Sequence, residues 1–458
     1  MPVPEFYVPN YYEENFVPPN PYPLPERLRN HLKASVPVLS KCHVDVAHHL
    51  HATMLAGHPE FKNYLSQGKQ DNGHQAVALG TGLVAYADNI HDISVLAPVV
   101  ERVAQRHSSL NIQPWQYIVV WKYYMGALEW GFGKEYFSGE MREAWSAAYW
   151  QLAWLFMNRE KELYAQSGWI GWKEFTVAKR VNESEHITSF YLAPKEDISL
   201  IGYKPGQYIS VQKFVTELGT YQARQYSLSD IPTENQFRIS VKRDSGIRAT
   251  KPGTKTIDTA DSTHPGWMSN LLHDTLQEGH TIQVAHPYGD FILEDAQSPV
   301  VLISAGVGAT PFISMLNAII RKTPAPARLS IIYSFFFPTS APKTRQVSWI
   351  HAAHSVRDHA FKDHVADIVK ARPHQVKSNI FLTVTDDAMP NKDYDFAGRM
   401  DLAKVSPEVL RLEDPATQYY LCGPPEFMND MRTHLRSRGI DSPRIIMESF
   451  GVLNLASD

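Results

Sequence analysis

Five histidines fall within the stretch HVDVAHHLHATMLAGHPE (residues 43–60). His48 and His51 are three residues apart, a spacing that could clamp a metal ion on one face of a helix. In a helix, His51 would also share a face with apolar residues and could form the wall of a pocket. The plainest interpretation is a solvated helix face with one half-buried imidazole. This stretch alone leaves all three alternatives open.

Another histidine, His107, has neighbours suited to a metal ligand. It lies in AQRHSSLNIQPWQY, ten residues before Tyr117, and a later stretch, MNREKELY, offers Glu160. An imidazole that binds iron through one ring nitrogen is oriented, and made more electron-donating, by a hydrogen bond at the other nitrogen. Tyr117 and Glu160 could supply that bond. The alternative is an exposed histidine at a helix end, next to Arg106.

The motif SAGVGATP (residues 304–311) follows an apolar run and precedes a helical pattern. Gly306 and Gly308 would let the backbone approach a diphosphate, and the helix start would offer free N–H groups to its oxygens. Taken alone the motif is weak evidence, because a plain strand-to-helix turn also favours glycine. Its place between a strand and a helix indicates a nucleotide-binding loop.

Two further motifs could hold the phosphates and ring of another nucleotide. RQYS offers a cation for a phosphate, a flat ring and a hydroxyl in Arg224, Tyr226 and Ser227. GWMS offers Ser269 and nearby backbone amides for the other side of a diphosphate. Either could be an ordinary strand or helix cap. In chain order, however, the motifs form a specific set: RQYS, GWMS, HPYGDF, GVGATP, CGPP and ESFG.

The elements that must position these residues change in type along the chain. Helical periodicity runs from about residue 25, and its clearest stretches are 26–40, 92–107, 114–132 and 141–166. From about residue 168, short alternating strands predict an antiparallel barrel. From about residue 299, strands alternate with helices, which indicates a doubly wound parallel sheet.

We therefore expect a multidomain protein of α, β and α/β parts. The parts are a Pro/Tyr-rich, disordered tail (1–24), an all-α domain (25–166), an antiparallel β-barrel (167–296) and a doubly wound domain (297–458). The apolar segment 328–344 has no functional interpretation.

Composition excludes several classes of function. A net charge of -4 without a Lys/Arg stripe argues against a nucleic-acid partner. Two distant cysteines, Cys42 and Cys422, exclude a disulfide framework and suit a reducing compartment. The start of the chain lacks the pattern of a secretory signal, and the apolar run 296–320 is broken by glycine and proline. We expect a cytoplasmic protein without a membrane span.

The region Gly168–Gly451 resembles the ferredoxin-reductase-like flavoproteins, in which an FAD-binding barrel precedes a nicotinamide-binding domain. The resemblance rests on the ordered motifs above. It implies that FAD is held by Tyr208, Arg224, Gln225, Tyr226 and Ser227. It implies that the nicotinamide cofactor's diphosphate is held by Gly306, Val307, Gly308, Ala309, Thr310 and Pro311. By the same resemblance, Cys422, Gly423 and Pro424 lie near the nicotinamide, and Phe450 covers the flavin ring.

Residues 25–165 resemble the globin domain of flavohaemoglobins. DNGHQAVAL matches the family's distal helix, which implies that Gln75 lies over the haem with Leu79 one turn later. AQRHSS matches the proximal stretch, so the resemblance makes His107 the iron ligand, with Tyr117 and Glu160 as its hydrogen-bonding partners. Arg106 and Glu448 fall where the family keeps residues that tune the haem and flavin potentials.

This chain departs from the family at two positions of the distal pocket. His51 occupies the place of a tyrosine, so it is expected to be a pocket wall rather than part of a zinc site. Leu65 occupies the place of a phenylalanine that packs on the haem. An imidazole N–H can donate a hydrogen bond much as a phenol does, but it can also act as an acid or base on a peroxide, or ligate iron.

The resemblance implies an NAD(P)H-dependent nitric oxide dioxygenase with haem b, FAD, and NADPH or NADH. Electrons would pass from NAD(P)H through FAD to haem, and nitric oxide and oxygen would give nitrate. We expect a self-sufficient, monomeric protein with these small molecules as substrates.

Two alternatives stay open at this point. The altered distal pocket could serve peroxidase-like or monooxygenase-like chemistry on an organic substrate. The globin could also be a gas sensor, although a sensor needs no hydride input and the flavin and nicotinamide motifs argue against it.

Overall fold

A computed structural model describes residues 23–65, 74–200, 202–233, 235–244, 266–322 and 344–450. Residues 1–22 of the predicted tail and 328–343 of the apolar segment lie outside the described residues. The domain limits stay predictions.

The amino-terminal part is all-α. Its helices are α1 (Glu26–Gly57), α2 (His74–Asp88), α3 (Ala97–Ser109), α4 (Pro114–Phe132) and α5 (Gly139–Gln166). Helix α1 packs against α2 and α4, whereas α3 packs against α5. The core between them is rich in aromatic and aliphatic side chains, among them the buried Trp145 and Tyr124. This confirms the prediction that the amino-terminal part is all-α.

Local sequence sets where the site-bearing helices begin and end. Helix α4 begins with Pro114 in its first turn, and Gln113 and Gln116 form a capping box in which the Gln113 amide donates to the Gln116 side chain (2.7 Å). Helix α3 ends at Ser109, and Asn111 then adopts a φ of 58° that reverses the chain toward α4. His107, in the last turn of α3, is thereby placed close to the start of α4.

The middle part is an antiparallel sheet. Its strands are β1 (Lys173–Asn182), β2 (Ile187–Pro194), β3 (Tyr208–Val215), β4 (Thr220–Ser227), β5 (Phe237–Lys242) and β6 (Thr281–Val284), with α6 (Trp267–Thr275) preceding β6. The strand order is β4-β3-β6-β1-β2-β5. A bridge between Leu228 and Ile239 joins the ends of β4 and β5, so the two edges of the sheet meet as the predicted barrel requires. Phe175, Phe190 and Phe237 fill its interior.

The carboxy-terminal part is a parallel sheet covered by helices. Its elements are β7 (Val300–Ala305), α7 (Thr310–Lys322), β8 (Val347–Ala353), α8 (Lys362–Ala371), β9 (Val376–Leu382), β10 (Phe396–Ala397), α9 (Pro407–Leu410), β11 (Gln418–Cys422), α10 (Pro425–Ser437) and β12 (Ile445–Glu448). The order β10-β9-β8-β7-β11-β12 reverses direction at β7, which is the arrangement of a doubly wound fold. The predicted fold class is therefore confirmed.

The uncharged run 296–320 forms strand β7, a tight turn and most of α7, as predicted. Within the part of the chain that the structure describes, no helix is long and apolar enough to cross a bilayer.

Candidate functional site

A cavity of about 400 Å³ lies within the helical part and reaches the barrel. This volume falls in the usual range of pockets for small molecules and cofactors, and most of its wall is apolar. The structure brings several predicted site residues together on this wall: His51, Leu65, Gln75, Leu79, Arg106, His107, Tyr117, Arg224 and Gln225.

Three predicted residues form a hydrogen-bonded cluster at one side of the cavity. His107 Nδ1 lies 2.8 Å from Glu160 Oε1 and 2.9 Å from Tyr117 Oη, and the Tyr117 hydroxyl donates to the same carboxylate oxygen (2.5 Å). They come from α3, α4 and α5. Glu160 is only 3 % exposed. Burial, followed by the Glu160 charge, raises the pKa of Tyr117 well above its usual value, so the phenol keeps its proton.

The geometry of this cluster fixes the tautomer of His107. A carboxylate can only accept, so the proton on the imidazole stays on Nδ1 and points at Glu160. Nε2 is then the nitrogen with a free lone pair. Since His107 lines the cavity, it can present that lone pair to a metal inside it.

His51 and Gln75 line the same cavity from α1 and α2, two helices that pack against each other. Burial, followed by the nearby His48, lowers the pKa of His51 to about 4, so its imidazole is neutral at neutral pH. Gln75 Oε1 is buried and has no hydrogen-bond partner among the described residues. A buried acceptor without a partner suits a group that occupies the cavity.

The histidine-rich stretch forms no cluster of ligands. His48 is exposed, His49 stacks on Trp130 with ring centroids 4.6 Å apart, and His58 pairs with Glu60 (2.9 Å). Among the described residues, no group of three or more His, Cys, Asp or Glu side chains could hold a metal ion. Of the three alternatives, the structure supports the pocket wall for His51.

The predicted FAD residues follow two paired strands of the barrel. Tyr208 begins β3 and is paired with Ser227 at the end of β4. Arg224, Gln225 and Tyr226 are the three residues of β4 that precede Ser227. Burial lowers the pKa of Arg224, and the proximity of Arg106 lowers it further. A buried guanidinium favours an anionic partner such as a phosphate. Ser269 in α6 accepts from the Asp244 amide (3.3 Å), a contact between that helix and the segment just after β5.

The predicted nicotinamide residues meet at the carboxyl end of the parallel sheet. Gly306 has a φ of 54°, and Val307, Ala309, Thr310 and Pro311 continue the loop into α7. Position 308 must be glycine for steric reasons, because a Cβ atom there would lie 2.2 Å from the Cys422 carbonyl oxygen. Cys422 is fully buried at the end of β11, and Gly423 and Pro424 lead into α10. The loop and the CGPP motif are therefore in contact.

Glu448 lies where the three parts of the chain meet. It is paired with Cys422 across β11 and β12, and it lies near enough to Tyr208 of the barrel to contribute to the raised pKa of that phenol. Burial, followed by Asp290, raises the pKa of Glu448 to about 8, although Arg102 and Arg106 of α3 oppose the shift. Phe450, two residues later, is 46 % exposed.

The sequence missed the contacts that join α3 to the barrel. The Gly289 amide donates to Gln105 Oε1 (2.8 Å), and Ser210 Oγ donates to Ser109 Oγ (3.0 Å). Arg102 and Asp290 lie 3.6 Å apart as an ion pair. The spacing of Arg102, Gln105 and Ser109 puts them on one face of α3, but it does not indicate their partners in the barrel.

Comparisons with known proteins agree with this arrangement. The flavohemoprotein of Bordetella parapertussis is 38% identical over 441 residues, which cover 94% of this chain and 100% of that relative. The chain belongs to the flavohaemoglobin family. The flavohemoprotein of Chromobacterium violaceum is 38% identical over 93% of the chain and 98% of its own length. A solved flavohemoglobin from Malassezia yamatoensis, described with bound FAD and heme, has a TM-score of 0.75 at 26% identity and covers 93% of this chain and 100% of its own.

Family models identify the parts of this flavohaemoglobin-type chain. The globin model matches residues 49–153, the oxidoreductase FAD-binding domain matches 174–292 and the oxidoreductase NAD-binding domain matches 302–433. The protein is therefore an oxidoreductase with haem, flavin and nicotinamide domains. This confirms the three predicted kinds of cofactor, which are haem, FAD and a nicotinamide nucleotide. The site residues and their roles stay predictions.

Proposed function

We propose that this flavohaemoglobin is a nitric oxide dioxygenase that converts nitric oxide and oxygen to nitrate with electrons from NAD(P)H. One observation carries the proposal. A single cavity is lined both by His107, whose Nδ1 is hydrogen-bonded to Glu160, and by Arg224 and Gln225 of the FAD-binding part. Electrons leaving the flavin site therefore have a direct route to the site that His107 faces.

His107 is proposed to hold the iron through Nε2. The carboxylate of Glu160 accepts the Nδ1 proton at 2.8 Å and gives the ring partial imidazolate character, which strengthens Nε2 as a donor. Tyr117 donates to the same carboxylate and keeps its orientation fixed.

His51 and Gln75 are proposed to form the gas-binding side. Because His51 is neutral, one ring nitrogen carries a proton that it can donate to a bound diatomic molecule. Gln75 adds an acceptor with Oε1 and donors with its amide nitrogen. Leu65 and Leu79 complete an apolar wall that keeps bulk water out.

The cavity fits haem on three counts: its apolar wall, an imidazole with a free nitrogen, and the unpaired Gln75 oxygen. When bound, haem would supply the iron for the gas chemistry, and FAD would accept hydride and release electrons singly. FAD contacts are proposed for Tyr208, Arg224, Gln225, Tyr226, Ser227, Ser269, Glu448 and Phe450. Nicotinamide contacts are proposed for residues 306–311 and for Cys422, Gly423 and Pro424.

The test is nitric oxide consumption by the purified, haem- and FAD-loaded protein with NAD(P)H and oxygen, followed by measurement of nitrate. We expect nitrate to form in proportion to the nitric oxide consumed. His107→Ala should abolish turnover, whereas His48→Ala, a change at an exposed imidazole, should retain it. NAD(P)H oxidation that does not respond to nitric oxide would contradict the proposal.

The alternative of an organic substrate rests on His51 and Leu65. Both line the cavity, but no described feature indicates an organic ligand. The curated relatives reported above are all named flavohemoproteins, which does not favour a repurposed enzyme.

A further inference from the structure

The helix that carries His107 is joined to the barrel by buried hydrogen bonds. Gln105, two residues before His107, is only 7% exposed. Its Oε1 accepts from the Gly289 amide (2.8 Å), and its Nε2 donates to Glu101 (2.8 Å). The side chain therefore bridges α3 and the turn after β6 with both ends of its amide.

Ser109, two residues after His107, makes the second connection. Its side chain is fully buried, and its hydroxyl donates to the Arg106 carbonyl (2.8 Å). It accepts from Ser210 Oγ (3.0 Å) and, at longer range, from Gln225 Nε2 (3.4 Å). A hydroxyl can donate once and accept twice, so these contacts use its whole capacity.

The partners of Ser109 belong to the proposed flavin site. Gln225 is one of the proposed FAD contacts and lines the cavity that His107 faces, and Ser210 lies opposite it in the register of β3 and β4. The Tyr208 phenol also lies beside the Ser109 hydroxyl. A single buried hydroxyl thus contacts the last turn of the His107 helix and the strands that carry the flavin residues.

The nearby ion pair is the weaker part of this junction. Arg102 and Asp290 are 3.6 Å apart, and the Arg102 side chain is 48% exposed. Solvent and salt screen such a pair. The buried bonds of Gln105 and Ser109 are not screened in this way.

We propose that Ser109 and Gln105 are positioning residues that set the separation of flavin and haem and thereby the rate of electron transfer between them. The inference rests on the proposed function. Electron transfer depends steeply on the distance between donor and acceptor, and small displacements of reacting groups have large effects on rate. Loss of either buried contact would let the His107 helix shift relative to β3 and β4.

The chain offers a matched control in the neighbouring residue. Ser108 is also a buried serine (2% exposed) in the last turn of α3, but its hydroxyl lies beside Tyr164 of α5 and makes no hydrogen bond to the described residues of the barrel. Ser108→Ala and Ser109→Ala therefore remove the same atom from the same helical turn. Only the second change removes a contact with the flavin-binding strands.

The experiment is anaerobic stopped-flow reduction of the holoprotein by NAD(P)H under carbon monoxide. Flavin bleaching reports hydride transfer, and the carbonyl haem band reports electron arrival at haem. We expect Ser109→Ala to slow the second phase by about fivefold, because a displacement of about 1 Å can slow a reaction by about 100-fold and Gln105 still limits the shift of the helix. Flavin bleaching should keep its rate, and Ser108→Ala should stay within about twofold of the unsubstituted protein in both phases.

Two further variants test the contact itself. Ser210→Ala removes the partner from the barrel side and should slow the same phase by a similar factor. The double variant Ser109→Ala/Ser210→Ala should be no slower than Ser109→Ala alone, because that single change already removes the bond between the two hydroxyls. Gln105→Leu, which keeps the bulk of the side chain but removes its amide, should also slow the haem phase selectively.

The outcomes separate this inference from the proposed function. If the unsubstituted protein bleaches its flavin but never reduces haem, the proposed function fails and the inference fails with it. If haem is reduced normally and Ser109→Ala behaves like Ser108→Ala, only the positioning role is overturned. Slowing that is fully explained by a shift in the midpoint potential of either cofactor would also overturn it.

Discussion

If His107 holds the haem iron, as proposed, the hydrogen bonds at its Nδ1 determine how tightly this protein should hold haem. Glu160 Oε1 lies 2.8 Å from that nitrogen and accepts from Tyr117 at 2.5 Å. Loss of such an outer partner of a metal-binding histidine costs about 10- to 100-fold in affinity. Glu160→Gln keeps the shape of the side chain but removes its charge, so we expect haem dissociation to accelerate by about tenfold or more.

Tyr117 acts on His107 mainly through this carboxylate. Tyr117→Phe removes one donor from Glu160 but leaves the bond between Glu160 and His107, so the expected acceleration is smaller, about threefold to tenfold. In Glu160→Gln the Tyr117 hydroxyl already has no carboxylate charge to orient, so adding Tyr117→Phe removes little more. The double variant should therefore lose haem about as fast as Glu160→Gln alone.

The assay is transfer of haem to an excess of an acceptor globin, followed by absorption. Tyr149→Phe is the control, because Tyr149 also lines the cavity but donates to the Tyr117 carbonyl (2.6 Å) and not to His107. We expect that variant to stay within about twofold. Fully multiplicative effects of Tyr117→Phe and Glu160→Gln, or an equal effect of Tyr149→Phe, would refute the reasoning.

Other predictions concern different parts of the chain. His51→Tyr should preserve or raise nitric oxide turnover, and complete loss in a turnover assay would indicate other chemistry. Burial, followed by the nearby Lys362, lowers the folded-state pKa of His359 to about 4 from an ordinary 6.5, so the unfolded chain binds more protons in that window. Stability should therefore fall by up to about 3 kcal/mol as the pH drops from about 6.5 to 4, and His359→Gln should flatten that part of the pH dependence in urea unfolding. Gly308→Ala should lower the free energy of unfolding by about 1–3 kcal/mol and weaken nicotinamide binding in a titration. Gly126→Ala, at an exposed helical glycine with open space around it, should instead raise the free energy of unfolding by about 0.5–1 kcal/mol.

Strong local signals made much of the fold predictable. The helix expected at 114–132 is α4 with the same bounds, since a proline start, a capping box and a terminal glycine all act within one stretch. The alternating strands expected from about residue 168 include β2. Helix α1 is longer than the expected stretch 26–40, because it continues to Gly57 where packing against α2 and α4 stabilises it. Short strands such as β10 gave no signal, because their pairing is set by neighbours distant in sequence.

The site was predictable only in part. Residue types and family resemblance pointed to His107, Tyr117 and Glu160, and the structure brings them within hydrogen-bonding distance. The bridge from Gln105 and Ser109 to the barrel was missed, because it joins residues about a hundred or more positions apart. Only tertiary packing brings such polar groups together, and no spacing rule along one helix reveals them.

An anaerobic absorption spectrum of the purified, haem- and FAD-loaded protein, with NAD(P)H and carbon monoxide, tests the central claim most directly. The claim is that one chain carries electrons from NAD(P)H through flavin to a haem held by His107 and open on the His51 side. It predicts flavin bleaching followed by a carbonyl haem band. Bleached flavin without that band, with the haem still oxidised or held between His107 and His51, would contradict it.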